Sequence, residues 1–153
     1  MKVEEIMTRD VLTVRTDTPV GDVARILVEK DLTGVPVVDE AGRVVGLIEE
    51  KDLIVKDARL HFPSYITILD SIVYLGGTKH FEEELRKFLA TTASEIMDQD
   101  PKVVTPESEI SDLATLMVEE DANPVPVVKD HKLVGIVSRA DLVKLLAREI
   151  ENK

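Results

Sequence analysis

Chemistry is most concentrated in one heptapeptide and its echo. Gly135-Ile136-Val137-Ser138-Arg139-Ala140-Asp141 joins an apolar run to a hydroxyl, a guanidinium and a carboxylate, and Gly46-Leu47-Ile48-Glu49-Glu50-Lys51-Asp52 repeats its frame in the first half of the chain. If the apolar run is a strand that ends where a helix begins, Ser138 and Asp141 lie in that helix's first turn, where unpaired N–H groups and the dipole favour an anion. Asp141 could accept hydrogen bonds from two vicinal hydroxyls of a ribose, while Ser138 and Arg139 could donate to a phosphate. Those are the needs of a nucleotide. A helix-capping serine with a dipole-complementing aspartate explains the same two residues equally well, so the heptapeptide alone leaves both readings open.

No other cluster competes with it. His61, His80 and His131 have neither the i, i+4 nor the Cys/His spacing of a metal site, and solvated surface is the default reading for each. Gly76-Gly77-Thr78-Lys79 has phosphate-binding-loop residue types in the wrong order and without the frame. The carboxylates of 82–84 with Arg86 and Lys87 read as a solvated helix face. No catalytic residue and no metal ligand is assigned.

Nineteen basic against 30 acidic side chains give a formal charge of -11, which repels phosphate backbones and anionic lipid, so neither nucleic acid nor a membrane is expected as partner. No apolar run approaches the roughly 20 residues that span a bilayer. Without a leader-like start or a single cysteine, the chain is expected to be soluble and cytoplasmic.

The two heptapeptides belong to a longer duplication. Residues 3–54 align with 93–143 over 51 pairs with one gap, and 18 pairs are identical. Each copy opens on Glu-Ile-Met, continues through a short extended run ending near Val14 or Val104, and reaches a helix start. Thr18 and Ser108 suit the N-cap there, and Pro19 the first helical position. Val20, Val23, Ala24 and Leu27, like Ile110, Leu113, Ala114 and Met117, fall at i, i+3, i+4 and i+7, so each helix buries one stripe. Val-Pro-Val-Val follows (35–38 and 125–128), its proline implying a strand start or an edge. After a tight turn come a second strand (44–48 and 133–137) and a second helix starting near Asp52 or Asp141. The order is β-α-β-β-α, twice.

Residues 1–55 are thus the first repeat, 56–92 an insertion and 93–153 the second repeat. The insertion is expected to be helical: Ile66, Leu69, Ile72 and Val73 have helical spacing, as do Phe81, Leu85, Phe88 and Leu89, with a break at Gly76-Gly77. A strand over 66–75 is the alternative, because β-branched and aromatic residues are frequent there.

With the duplicated Val-Pro-Val-Val strand and the Glu-Ile-Met opening, these heptapeptides resemble the CBS domain family, and the pair resembles a Bateman module. The resemblance covers nearly all of the chain except 56–92 and the two ends. It implies an α+β architecture with two repeats packed through their sheets about a pseudo-twofold axis, and two clefts that in the family commonly bind AMP, ADP, ATP or S-adenosylmethionine. It implies no reaction. Carried over position by position, one cleft holds Ile136, Ser138, Arg139 and Asp141 with Thr18, Val23, Leu32, Thr33 and Gly34. Asp141 would hold the ribose; Ser138, Arg139 and Thr18 would face phosphate; Leu32, Val23 and Ile136 would sandwich the base.

The second cleft combines Leu47, Glu49 and Asp52 with Ser108, Leu113, Ala122, Asn123 and Pro124, and departs from the pattern twice. Glu49 in place of a hydroxyl repels an anion, and Pro124 in place of a small residue removes a backbone donor. The pair is therefore expected to be unequal, with a competent nucleotide cleft around Asp141 and a cleft around Asp52 that is empty or takes a neutral or cationic adenosyl compound. The implied function is a regulatory module that senses an adenosine derivative, forms a homodimer and acts on its own oligomer or a protein target, with no cofactor. A ligand-free interaction scaffold is the rival.

Overall fold

The computed structural model describes residues 1–55, 64–68, 71–75 and 78–152, with side chains over 1–54 and 82–152. In chain order the elements are β1 (Val14–Arg15), α1 (Val20–Glu29), β2 (Gly34–Val38), β3 (Val44–Glu49), α2 (Glu50–Val55), β4 (Ser64–Ile68), β5 (Ser71–Leu75), α3 (Thr78–Ala90), α4 (Ala93–Ile96), α5 (Ile110–Glu119), β6 (Val125–Lys129), β7 (Lys132–Val137) and α6 (Arg139–Glu151). In the first repeat β1 runs parallel to β2, and β2 antiparallel to β3. In the second, β6 and β7 pair in the same register, and the partner of β1 shrinks to a parallel bridge between Val104 and Val127.

The helix stripes meet these sheets as their spacing requires. Val20, Val23 and Leu27 are buried with Val35, Val37 and Ile48 in one core, and Leu113 and Met117 with Val125, Val127 and Val137 in another. Pro36 lies neither at a strand start nor on an edge. It is the third residue of the middle strand, tolerated because β1 is two residues long and pairs only with Val37 and Val38.

Thr18 and Ser108 do not cap their helices. The N-caps are Pro19 and Glu109, and the two hydroxyls instead accept backbone N–H bonds from Arg15 (2.9 Å) and Thr105 (3.0 Å). Each helix start is satisfied from elsewhere. Val20 N–H donates to Thr91 O (2.8 Å), and Ile110 N–H to Met1 O (3.1 Å).

Those last two bonds belong to an exchange. The segment opening the first repeat lies on the second, and the reverse holds for its counterpart. Val3 is fully buried in the second core, whereas Ala93 and Ile96 are buried in the first. Thr8 bonds Ile136 in both directions (2.9 and 3.0 Å), extending β7, while Asp98 and Leu47 do the same at β3 (2.9 and 3.0 Å). Two glycines leave room for these segments. A Cβ on Gly135 would stand 2.5 Å from Met7 Sδ, and one on Gly46 only 2.4 Å from Met97 Sδ.

The pseudo-twofold axis is marked by residues that meet their own counterparts. Arg43 bridges Lys132, and a Cβ on Gly34 would fall 2.7 Å from Pro124 Cδ.

The helical reading of 66–75 does not hold. β4 and β5 form an antiparallel pair, Ser64 opposite Leu75 through Ile68 opposite Ser71, as suits a stretch rich in Tyr, Ile, Thr and Val. The expected helix over 81–89 is present within α3. Its Phe88 is not free to form an oligomer face, being buried in the first core, and Leu89 packs against Gly21. Leu69, Gly76, Gly77 and His61 lie outside the described residues, as do the side chains of Ile66 and His80.

Candidate ligand cleft

Asp141 reaches its position through the turn into α6. Its Oδ2 accepts the backbone N–H of Ser138 at 2.8 Å and the Ser138 hydroxyl at 3.2 Å, so the carboxylate sits over the helix start. Among the described residues Oδ1 takes no hydrogen bond, so the carboxylate keeps acceptor capacity where it lines a cavity.

That cavity has a volume of about 390 Å³, within the range of small-molecule sites. Both repeats build it. Ile136, Ser138, Ala140, Asp141 and Lys144 come from β7 and α6, and Asp31, Leu32, Thr33 and Gly34 from the end of α1 and the start of β2. The latter turn is closed by Leu32 N–H donating to Leu27 O (2.9 Å), with Asp31 in the left-handed region at φ 52°. Thr8, Asp10, Val11 and Leu12, from the exchanged opening, form a third side, and Asn123 and Pro124 a fourth.

Of the residues assigned here from sequence, Leu32, Thr33, Gly34, Ile136, Ser138 and Asp141 are brought together. Val23 is buried in the first core, and the Thr18 hydroxyl is engaged by Arg15, so neither lines the cavity. Arg139 is also turned away. Its Nη2 donates to Asp121 Oδ1 (2.7 Å) and Met117 O (3.0 Å), and its backbone N–H donates to Asn123 Oδ1 (2.9 Å). The guanidinium holds the Asp121 carboxyl below its ordinary pKa. Asn123 and Pro124, expected in the other cleft, line this one.

The equivalent corner of the first repeat is chemically different. Asp52 is buried at 6% exposure and accepts the Glu49 N–H at 2.8 Å, repeating the Asp141 turn. Glu49 pairs with Lys51 at 3.1 Å. Burial raises the Glu49 carboxyl above its ordinary pKa, Lys51 pulls it back, and Asp52 and Asp121 push it up again. Leu47, Leu113 and Ala122 are buried, and Ser108 borders a separate, open depression with Thr105 and His131. Glu49, Lys51, Asp121, Asn123 and Arg139 enclose a smaller hollow of about 190 Å³ that shares Thr33 and Asn123 with the main cavity.

A duplicated β-α-β-β-α unit with a cleft shared between its copies has a counterpart among known families, for the CBS domain pattern matches residues 3–58 and 93–148. The chain belongs to the CBS domain family. It is 30% identical to the uncharacterized protein MJ1426 of Methanocaldococcus jannaschii over 95% of this chain and 91% of that protein. To the chloroplastic CBSX2 of Arabidopsis thaliana it is 33% identical over 91% of this chain, and it spans only 61% of CBSX2.

Among solved structures, that of CBSX2 in complex with AMP is 30% identical, with a TM-score of 0.71 over 96% of this chain and 97% of the other. The CBS domain pair of MJ0100, solved with 5′-methylthioadenosine and S-adenosyl-L-methionine, shares the fold at 22% identity and a TM-score of 0.70, over 97% and 98% of the two chains.

Within this CBS pair, the contributors that position-by-position reading did not supply are Thr8, Asp10, Val11, Leu12, Asp31, Ala140 and Lys144. Four of them come from the exchanged segment, whose destination is set by tertiary packing. One signal was available: Val11 and Leu12 align with Pro101 and Lys102, a point where the copies part company. Among the described residues no group of His, Asp and Glu is placed to hold a metal ion, and no helix is long and apolar enough to cross a membrane.

Proposed function

We propose that this CBS pair is a regulatory module that binds one adenosine derivative per chain in the cleft around Asp141 and transmits the change to its own oligomer or to a protein partner. The observation that carries the reading is the Asp141 carboxylate, fixed over the α6 start and facing a cavity that both repeats and the exchanged opening complete. Asp141 takes the ribose hydroxyls, and Ile136, Leu32 and Val11 supply apolar surface for the base. The AMP complex of CBSX2, a relative at 30% identity, supports an adenosyl ligand.

The cleft around Asp52 stays without a nucleotide in this reading. Glu49 stands where Ser138 stands in the other copy, and its carboxylate, paired with Lys51, would repel a phosphate brought to that position.

Association with a second copy is part of the proposal. Val143, Leu146 and Ile150 form an exposed apolar stripe on α6, and Ile54, the counterpart of Val143, is exposed on α2.

Isothermal titration of the full chain with adenosine derivatives tests the reading, and a stoichiometry of one is expected. A ligand at 100 times its Kd stabilises the fold by about 2.7 kcal/mol, so a thermal-shift panel reports the same event. Two equivalent sites would overturn the asymmetry. No shift with any adenosyl compound would favour the interaction scaffold, and light scattering checks the dimer.

A further inference from the structure

The charges around the cleft are unbalanced in a way that bears on its ligand. Three carboxylates line it, Asp10, Asp31 and Asp141, against one cation, Lys144. Lys144 makes no ion pair among the described residues. On the side of the neighbouring hollow the cations are spent: Arg139 is held by Asp121 and Met117 O, and Lys51 by Glu49. A second or third phosphate on a ligand extending that way would meet Glu49, Glu50 and Asp121, and could recruit Arg139 or Lys51 only by breaking an existing pair. On the opposite side Arg148 shares a separate hollow of about 120 Å³ with Asp141 and Lys144, where Glu5 adds a further carboxylate. The chain's net charge of -11 adds a background of the same sign.

We infer that the cleft around Asp141 selects adenosine derivatives whose 5′ substituent is neutral or cationic, such as a thioether or a sulfonium, over those that carry two or three phosphates. The inference rests on the reading that an adenosyl ligand binds here. Asp141 is needed for the ribose of either kind, so the discrimination falls to Asp10 and Asp31 at the rim. Lys144 can offset a single phosphate, which places AMP between the two classes.

The test is isothermal titration of the full chain, freed of any retained nucleotide, with 5′-methylthioadenosine, S-adenosylmethionine, AMP and ATP at two salt concentrations, about 50 and 500 mM. ATP is expected to bind at least about tenfold more weakly than 5′-methylthioadenosine at the lower salt. Raising the salt should weaken S-adenosylmethionine and strengthen ATP, because screening removes an attraction in one case and a repulsion in the other.

The double variant Asp10→Asn, Asp31→Asn should narrow the gap between 5′-methylthioadenosine and ATP by about fivefold or more. Asn keeps the shape of both side chains and accepts the left-handed backbone of Asp31, so the fold is retained. ATP binding as tightly as 5′-methylthioadenosine, or a gap that the variant does not change, would overturn the inference while leaving the adenosyl site standing. Binding of none of the four would overturn the site itself.

Discussion

Replacing Gly135 by alanine probes the exchange of openings on which the cleft depends. The added methyl would stand 2.5 Å from Met7 Sδ, 3.0 Å from Met7 Cγ and 3.1 Å from Thr8 O. The methionine can swing, but the carbonyl oxygen belongs to a backbone already tied to Ile136 by two hydrogen bonds. Overpacking of this kind costs about 1–3 kcal/mol, and each of the two bonds, if lost, about 0.5–1.5 kcal/mol more. For a chain of this size each kcal/mol lowers Tm by about 2–4 °C, so a total cost of about 2–3 kcal/mol gives a fall of roughly 4–12 °C by calorimetry.

A double-mutant cycle isolates the contact. Met7→Ala alone loses burial worth about 1–2 kcal/mol, but it also empties the space the new methyl needs. In that background Gly135→Ala should cost little, giving a coupling energy of about 1 kcal/mol or more. Strict additivity would refute the seating of Met7 on Gly135. Ligand binding offers a second readout, since Gly135→Ala displaces Thr8 to Leu12 from the cleft wall. The matching change Gly46→Ala, against Met97 Sδ at 2.4 Å, should destabilise comparably yet leave binding near Asp141 in place.

The two aspartates should separate by phenotype. Asp52→Ala removes a buried acceptor and should cost about 1–3 kcal/mol in urea denaturation, whereas Asp141→Ala should chiefly abolish adenosyl binding by titration; the reverse pattern would exchange the roles of the clefts. Gly34→Ala places a methyl 2.7 Å from Pro124 Cδ and 3.0 Å from Ile48 O, and should lower both Tm and ligand affinity. Glu49 carries a pH signature. Because burial raises its carboxyl in the folded chain, that chain holds the proton more tightly than the unfolded one. Its ionisation costs nothing below the ordinary glutamate value of 4.5 and destabilises increasingly as pH rises through the raised value. Glu49→Gln should therefore match the parent in acid and exceed it in stability at pH 7, and an advantage that shrinks with rising pH would contradict the assignment.

What could be read from residues alone was local. The stripe of Val20, Val23 and Leu27 and its counterpart needed only helical periodicity, and the matched heptapeptides needed only the repeat. The Asp141 turn was legible because strand, cap and helix are contiguous in sequence. Other features depend on partners far along the chain. The Thr18 hydroxyl, which suits a cap, is taken by Arg15 while Val20 N–H finds Thr91 O, and Arg139, which suits a phosphate, is captured by Asp121 just beyond the end of α5. The 66–75 stretch satisfied two periodicities at once, and its β-branched composition prevailed in the hairpin of β4 and β5.

The exchange of openings also bears on how such a chain could have arisen. Two separate single repeats, each lending its first turn to the other, would make the same exchange contacts as the covalent pair, apart from those that α3 adds to the first core through Phe88, so the arrangement is that of a tethered homodimer. In an unfused dimer every substitution would appear in both clefts together. Joined in one chain, the copies can differ, and they do so at Ser138 opposite Glu49, Leu12 opposite Lys102 and Gly34 opposite Pro124. The tether therefore does more than secure assembly: in one chain a substitution can alter one cleft and leave its counterpart unchanged.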